Sequence, residues 1–192
     1  MRTIEEAILR FANRVGGTKR VIRTGWREKA KIKSPESIAE HMYRAAVISM
    51  VLSDLQMLDT EKVLRMCLLD DLPETITGDL TPSRKRRSGL ADSRRREETA
   101  LQQLLEPLPK HLKELYARIW IEAQSLRSRE ARLAKSADKL EMAIQALEYA
   151  SQTHEPERLK QFITSAARRV KDPQAKRIID LLRRRPKLIS PV

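Results

Sequence analysis

The sequence predicts an all-α protein, and three observations support this. Residues that favour helices, namely Ala, Leu, Arg, Glu and Lys, dominate the 192-residue chain. Hydrophobic residues recur with a helical period almost throughout, and no segment alternates with a period of two for long enough to predict a strand. Hydrophobic residues make up 41% and charged residues 34%, a composition typical of a globular domain rather than of disorder. We therefore expect a single-domain helical bundle with a sizeable core.

Eight helices are predicted from this period and from the residues that interrupt it. The first five cover residues 3–15, 34–55, 60–72, 93–105 and 110–126. The sixth runs to about residue 152, and Pro156, Pro173 and Pro186 separate and end the last two. Residues 18–33 are expected to be irregular and basic, and Gly78 and Pro82 mark a loop.

Capping residues fix where several of these helices begin. Thr3 and Glu6 have the spacing of a capping box at the start of the first helix. The second helix is expected to open with Ser34 as its N-cap and Pro35 in its first turn. Ser128 is expected to cap the sixth helix.

Charge and composition restrict the classes of partner. The net charge of +13 favours anionic partners such as nucleotides or nucleic acid. Basic runs at 84–87, 94–96 and 183–185 fit either a solvated face or weak nucleic-acid binding, although they lack the interleaved aromatic residues that stack on bases.

The single cysteine, Cys67, excludes an intrachain disulfide and a cysteine-based zinc site. No segment has a transmembrane or signal-peptide pattern, so a cytoplasmic protein is expected.

Polar residues at positions where the helical period predicts core are the strongest functional signal. His41 lies within the apolar face of the second helix, where a histidine is either a hydrogen-bonded core residue or a ligand. Asp70 and Asp71 end the third helix, and two adjacent buried carboxylates repel each other unless a cation is present. The alternative is that both acids face solvent.

Asp138 gives a similar signal in the sixth helix, with Ala134 and Met142 one turn away on either side. An ordinary ion pair with Lys135 or Lys139 is the alternative interpretation here. Together His41, Asp70, Asp71 and Asp138 supply one imidazole and three carboxylates from three helices, and facing helices are where bundles build internal metal sites. Such an oxygen-rich set suits Mn²⁺, Co²⁺, Fe²⁺ or Mg²⁺ better than structural zinc.

The segments around these residues resemble a known family. PESIAEHMYRAA, LLDDLPETITGDLTP and AKSADKLEMAIQALEYA, in this order, are similar to the motifs of HD-domain metal-dependent phosphohydrolases, and TKRVIRTGW further suggests the 5'-deoxynucleotidase subgroup. The resemblance covers roughly residues 5 to 152. It implies an HD-type helical domain over residues 1–152, a C-terminal helical extension with a basic tail over 153–192, and a homodimer.

The resemblance also implies a ligand set, with one departure. His41, Asp71 and Asp138 match the family's metal ligands directly. The family has a histidine where this chain has Asp70, and because aspartate is shorter, the backbone or the metal must shift for Asp70 to act as a ligand. Pro73 is a second departure, at a position where the family usually has alanine.

The resemblance implies roles for four further residues. Glu74 matches the catalytic acid or base beside the metal, and Asp79 matches a carboxylate that contacts the substrate near its sugar. Arg23 and Trp26 fall in the segment that contacts the nucleotide, where arginine binds phosphate oxygens; the alternatives are a surface arginine and a core tryptophan.

The expected function is a metal-dependent phosphomonoesterase that converts deoxyribonucleoside 5'-monophosphates to nucleoside and phosphate. A catalytically impaired protein that binds a nucleotide or nucleic acid is the alternative, since Asp70 replaces the histidine.

Overall fold

The structure is a computed structural model that describes residues 3–153 and 155–189, and it confirms the all-α prediction. The described residues form α-helices and two short 3₁₀ helices, Gly16–Lys19 and Pro186–Leu188. The α-helices are α1 (Ile4–Val15), α2 (Thr24–Ala30), α3 (Ile38–Leu55), α4 (Thr60–Asp70), α5 (Glu74–Thr77), α6 (Pro82–Arg87), α7 (Leu90–Leu105), α8 (Lys110–Ser125), α9 (Arg129–Gln152), α10 (Glu157–Arg169) and α11 (Pro173–Arg184).

Three short helices lie where irregular chain is predicted. Helix α2 forms within the segment 18–33, and α5 and α6 lie on either side of Gly78. None of the three has a side-chain hydrogen bond at its N-cap. Helix α2 nevertheless buries Trp26 and Ala30, each 2% exposed. Tertiary packing therefore favours helix here where the local sequence gives no clear start signal.

The capping predictions are partly confirmed. The Thr3–Glu6 capping box begins α1, and Ser128 accepts a 3.2 Å hydrogen bond from the Ala131 N–H at the start of α9. The prediction that Ser34 caps the second helix is wrong, because Ser37 does so. Glu40 stands three residues after Ser37 and accepts its backbone N–H at 2.6 Å, which completes a capping box that Ser34 lacks.

Helix α9 is the centre of the bundle. It packs against α3, α4, α8, α10 and α11, and Leu133 and Leu140 on it are almost fully buried in the main core. A smaller core cluster forms where α2 and α10 meet the C-terminal half of α9, around Trp26, Tyr149 and Phe162. None of the described helices combines the length and apolar character that a membrane crossing requires.

The predicted boundary at residue 152 coincides with the end of α9. Beyond it, α10 packs on α9, and Phe162 joins the smaller core cluster. The division into a domain and an extension stays a prediction, and residues 190–192 of the predicted tail lie outside the described residues.

Candidate functional site

Three helices bring His41, Asp71 and Asp138 together. His41 lies on α3, Asp71 directly follows α4, and Asp138 lies on α9. One potential ligand atom from each lies within 4.8 Å of the others. His41 Nε2 is 2.7 Å from Asp138 Oδ1 and 3.7 Å from Asp71 Oδ2. Because His41 and Asp138 are buried, this cluster concentrates negative charge where water screens it poorly.

The other nitrogen of His41 is held by a buried carboxylate. Nδ1 faces Glu141 Oε2, and the second oxygen of Glu141 accepts hydrogen bonds of 3.0 and 2.7 Å from Arg44 Nε and Nη2. Burial and Arg23 both lower the pKa of His41, but Glu141 and the hydrogen bonds to Asp138 and Glu141 raise it to about 10. Glu141 therefore fixes the orientation in which Nε2 faces Asp71 and Asp138.

The residues fit a divalent cation on the Nε2 side of His41. A second possible group, Glu36, His41 and Glu141, lies on the Nδ1 side. Its carboxylates already have partners, since Glu141 accepts from Arg44 and Glu36 accepts from Trp26 Nε1 at 2.8 Å. Asp71 and Asp138 also have cationic neighbours, but they line an open cavity of about 590 Å³. Of the two groups, only the one with Asp71 and Asp138 opens on a space that a ligand can enter.

Asp70 is not part of this cluster, although it lines the same cavity as Asp71 and Asp138. Its Oδ1 accepts hydrogen bonds from Gln124 Nε2 at 2.8 Å and from Lys135 Nζ at 2.5 Å, and its carbonyl accepts one from Trp120 Nε1 at 3.2 Å. Burial opposes the charge on Lys135, but Asp70 and Asp138 outweigh it and raise the lysine's pKa. The structure thus brings three of the four predicted ligands together and pairs the fourth with a lysine.

Both interpretations of Asp138, an ion pair and a place in the cluster, hold in the structure. Lys139 Nζ lies 2.5 Å from Asp138 Oδ2, so the expected ion pair exists, while the other oxygen of Asp138 faces His41. Burial disfavours the ionised carboxylate, but Lys139 and His41 hold the pKa of Asp138 well below its usual range. The ion pair and the ligand cluster therefore coexist.

Glu74 is the other buried acid of the cavity. It begins α5 and is 5% exposed. Burial, then Asp71 and Asp79, raises its pKa well above the usual value. Its Oε2 has no hydrogen-bond partner among the described residues, and the nearest cation, Lys85 Nζ, is 3.5 Å from Oε1. This environment therefore favours the protonated form of the Glu74 carboxyl group more than solvent does.

Arg23 lies between two carboxylates at the cavity wall. Its Nη1 is 3.4 Å from Asp71 Oδ2 and 3.7 Å from Asp79 Oδ1. Asp79 also accepts a hydrogen bond from the backbone N–H of Thr24, the first residue of α2. The structure therefore brings Arg23, Asp71, Glu74 and Asp79 to one cavity, as the predicted roles require.

Trp26 is a core residue that also borders the cavity. Its ring stacks on Phe162 with centroids 4.1 Å apart and meets Tyr149 edge to face at 5.3 Å. The side chain is 2% exposed, yet it borders the cavity. Trp26 thus belongs to the core, and its predicted contact with substrate stays a prediction.

Several residues of the site were not singled out from the sequence as site residues. Glu141, Arg44 and Glu36 support His41 and Trp26, and Lys85 pairs with Glu74 and with Glu97 at 2.7 Å. Lys85 belongs to the basic run 84–87, which was interpreted as a solvated face or a nucleic-acid contact. Of these residues, only Glu141 had a sequence signal that could have identified it, because it lies one turn from Asp138 on the buried face of α9.

Comparison with known proteins assigns the family. The family model described as HD domain matches residues 15–178. The chain belongs to the HD-domain family. This confirms the resemblance inferred from the motifs, and the match extends beyond residue 152 into α10 and α11.

Relatives of this HD-domain protein agree with that assignment. Human 5'-deoxynucleotidase HDDC2 is 38% identical over 92% of this chain and 84% of its own length. A solved structure from Pyrococcus horikoshii OT3 is 29% identical, covers 92% of this chain and 98% of its own, and superimposes with a TM-score of 0.73. A Magnetospirillum magnetotacticum structure described as a predicted metal-dependent phosphohydrolase covers 99% of this chain and all of its own, with a TM-score of 0.70; at 21% identity it supports the fold alone.

Proposed function

We propose that this HD-domain protein is a metal-dependent phosphomonoesterase that releases phosphate from deoxyribonucleoside 5'-monophosphates. The observation that carries the proposal is the convergence of His41, Asp71 and Asp138 at one end of a cavity that also holds Glu74 and Arg23. The relatives named 5'-deoxynucleotidase match most of the chain, which supports this substrate class.

His41, Asp71 and Asp138 would hold the cation, and their one imidazole nitrogen and two carboxylate oxygens suit Mn²⁺, Co²⁺, Fe²⁺ or Mg²⁺. A divalent cation at this site supplies Lewis acidity toward the phosphate and toward the attacking water. In this proposal Asp70 is not a ligand: it neutralises Lys135, whose ammonium lies at the same cavity wall.

The chain's own residues bind the substrate and move the proton. Arg23, held by Asp71 and Asp79, presents its guanidinium to the phosphate oxygens. Water adds to phosphorus while the bond from phosphorus to the 5' oxygen breaks. Glu74, whose buried position favours its protonated form, donates its proton to the leaving nucleoside oxygen, and its carboxylate then takes up the proton that the attacking water releases. Asp79 contacts the sugar from the turn that precedes α6.

The test is phosphate release from the four deoxyribonucleoside 5'-monophosphates by purified protein freed of metal and then supplied with Mn²⁺, Co²⁺ or Mg²⁺. We expect release that depends on the cation and is absent with deoxyribonucleoside 3'-monophosphates. If the protein binds a cation but releases no phosphate from any 5'-monophosphate, the proposed activity is wrong.

Glu141 gives a prediction about the support of His41. Glu141→Gln removes the charge that faces Nδ1, so the Kd for Mn²⁺ measured by calorimetry should rise about 10- to 100-fold. Glu148→Gln is the matched control, because Glu148 accepts from the same Arg44 at 2.7 Å without touching His41. Equal Kd values for the wild type and Glu141→Gln would show that Glu141 does not support the ligand.

We also infer a cytoplasmic homodimer, the assembly and compartment that the sequence led us to expect. The outer face of α3 supports a dimer, since it exposes apolar side chains at helical spacing: Tyr43, Val47, Met50, Val51 and Leu55. Sedimentation velocity distinguishes a monomer from a dimer directly.

The basic runs on α6, α7 and α11 support a weak, salt-sensitive affinity for nucleic acid.

A further inference from the structure

Three cations from three helices line the outer part of the substrate cavity. They are Lys29 on α2, Arg86 on α6 and Arg169 at the end of α10, and we call them the rim cations. In the part of the chain that the structure describes, none of them forms an ion pair with a carboxylate. Arg86 and Arg169 are exposed and Lys29 is partly buried, so all three are accessible to a ligand.

The cations deeper in the cavity are all neutralised. Arg23 pairs with Asp71 and Asp79, and Lys85 pairs with Glu97. Lys135 pairs with Asp70, and Lys139 pairs with Asp138. A divalent cation and a phosphate dianion add no net charge to this inner region. A nucleoside monophosphate therefore leaves the rim cations without a counter-charge.

The rim cations are positioned by the framework of the site. Lys29 lies one turn after Trp26, and Arg169 lies two turns after Phe162, on the faces of the two helices that meet in the Trp26–Phe162 stack. Helix α6 is fixed beside them, because Arg84 pairs with Glu28 of α2 and Lys85 reaches into the cavity. The three charges thus line one cavity from helices that pack or pair with one another.

We propose that the rim cations bind a second phosphate group of the substrate, in addition to the 5'-phosphate that is removed. This inference rests on the proposed function. Two sources share the required chemistry: a nucleoside 3',5'-bisphosphate, and the 5' end of a short strand, whose next phosphodiester carries the second charge. In either case water cleaves the 5' phosphate ester, and the second phosphate leaves with the product. Arginine and lysine side chains are the usual partners of such groups.

The experiment measures binding separately from catalysis. With metal-free protein in the presence of a chelator, calorimetry gives the Kd of deoxyadenosine 5'-monophosphate, deoxyadenosine 3',5'-bisphosphate and a 5'-phosphorylated deoxyadenosine dinucleotide. At low salt we expect at least one of the doubly charged ligands to bind about tenfold more tightly than the monophosphate, which corresponds to about 1.4 kcal/mol. This advantage should shrink as salt screens the rim cations.

A matched pair of triple variants locates the effect. Lys29→Gln, Arg86→Gln and Arg169→Gln together should reduce the advantage of the second phosphate to less than about twofold. The control replaces three exposed neighbours on the same helices that do not line the cavity, Arg27, Arg87 and Arg168, and changes the net charge equally. The control should retain the full advantage.

The outcomes separate this inference from the proposed function. Equal Kd values for all three ligands in the wild type, or an equal loss in both triple variants, overturn the inference. A gain for the bisphosphate alone or for the dinucleotide alone supports it and identifies the source of the second phosphate. Phosphate release from deoxyadenosine 5'-monophosphate, measured with Mn²⁺ on the same preparation, tests the proposed function without reference to the rim cations.

Discussion

Asp71→Asn should abolish metal-dependent phosphate release, because it removes one of the three groups that face Nε2 of His41. Replacement of residues that only support a ligand costs about 10- to 100-fold in metal affinity, so replacement of a ligand should raise the Kd for Mn²⁺ by more than about 100-fold. The fold should persist, because asparagine has the size of aspartate and is tolerated at the end of a helix, where Asp71 lies. Calorimetric titration with Mn²⁺ and circular dichroism measure the two effects separately.

The neighbouring variant Asp70→Asn is the sharpest control, because it makes the same chemical change one residue away. Asp70 accepts hydrogen bonds from Lys135 and Gln124 and is not part of the cluster. The Kd for Mn²⁺ should therefore change by less than about threefold. Loss of the charge opposite Lys135 should instead lower the free energy of unfolding of the metal-free protein by about 1–3 kcal/mol. If Asp70→Asn loses metal as severely as Asp71→Asn, then Asp70 is the fourth ligand that the family motif implies.

The cluster of His41, Asp71 and Asp138 could be predicted from the sequence, because a buried charged or polar residue interrupts an apolar helix face. His41 and Asp138 interrupt apolar faces, and Asp71 follows a buried helix, so each of them needs a polar partner wherever the helices pack. The all-α class could be predicted because hydrophobic residues recur at helical spacing in almost every helix. The start of α1 and the start of α9 followed from caps that depend on residues three apart.

The partners of these residues could not be predicted in the same way. Arg44 meets Glu141 across about a hundred residues of sequence, and Asp70 meets Lys135 across 65, and helical periodicity carries no information on such pairings. The partner of Asp70 was the decisive unknown, since the sequence around Asp70 and Asp71 is the same whether Asp70 faces a metal ion or a lysine. Helix α2 was missed for a related reason, because its stability comes from burial of Trp26 against α9 and α10.

Glu74→Gln should lower kcat by about 10²- to 10⁴-fold, the usual contribution of a general acid. Glutamine fits the same buried space and lacks an acidic proton to donate. Metal affinity should stay close to that of the wild type, because the ligand cluster does not include Glu74. Glu97→Gln is the matched control: Glu97 shares Lys85 with Glu74 but does not line the cavity. It should retain most of the wild-type kcat.

The leaving group decides whether Glu74 acts as a proton donor. A nucleoside 5' oxygen leaves as a strongly basic alkoxide unless it is protonated, whereas 4-nitrophenolate is stable in water without a proton. If Glu74 donates the proton, Glu74→Gln should lose far more activity on a deoxyribonucleoside 5'-monophosphate than on 4-nitrophenyl phosphate. An equal loss on both substrates would mean that Glu74 positions the water or the phosphate instead. Because the two substrates share the same phosphate and the same cation, the ratio of the two losses isolates the proton transfer from metal binding and from the fold.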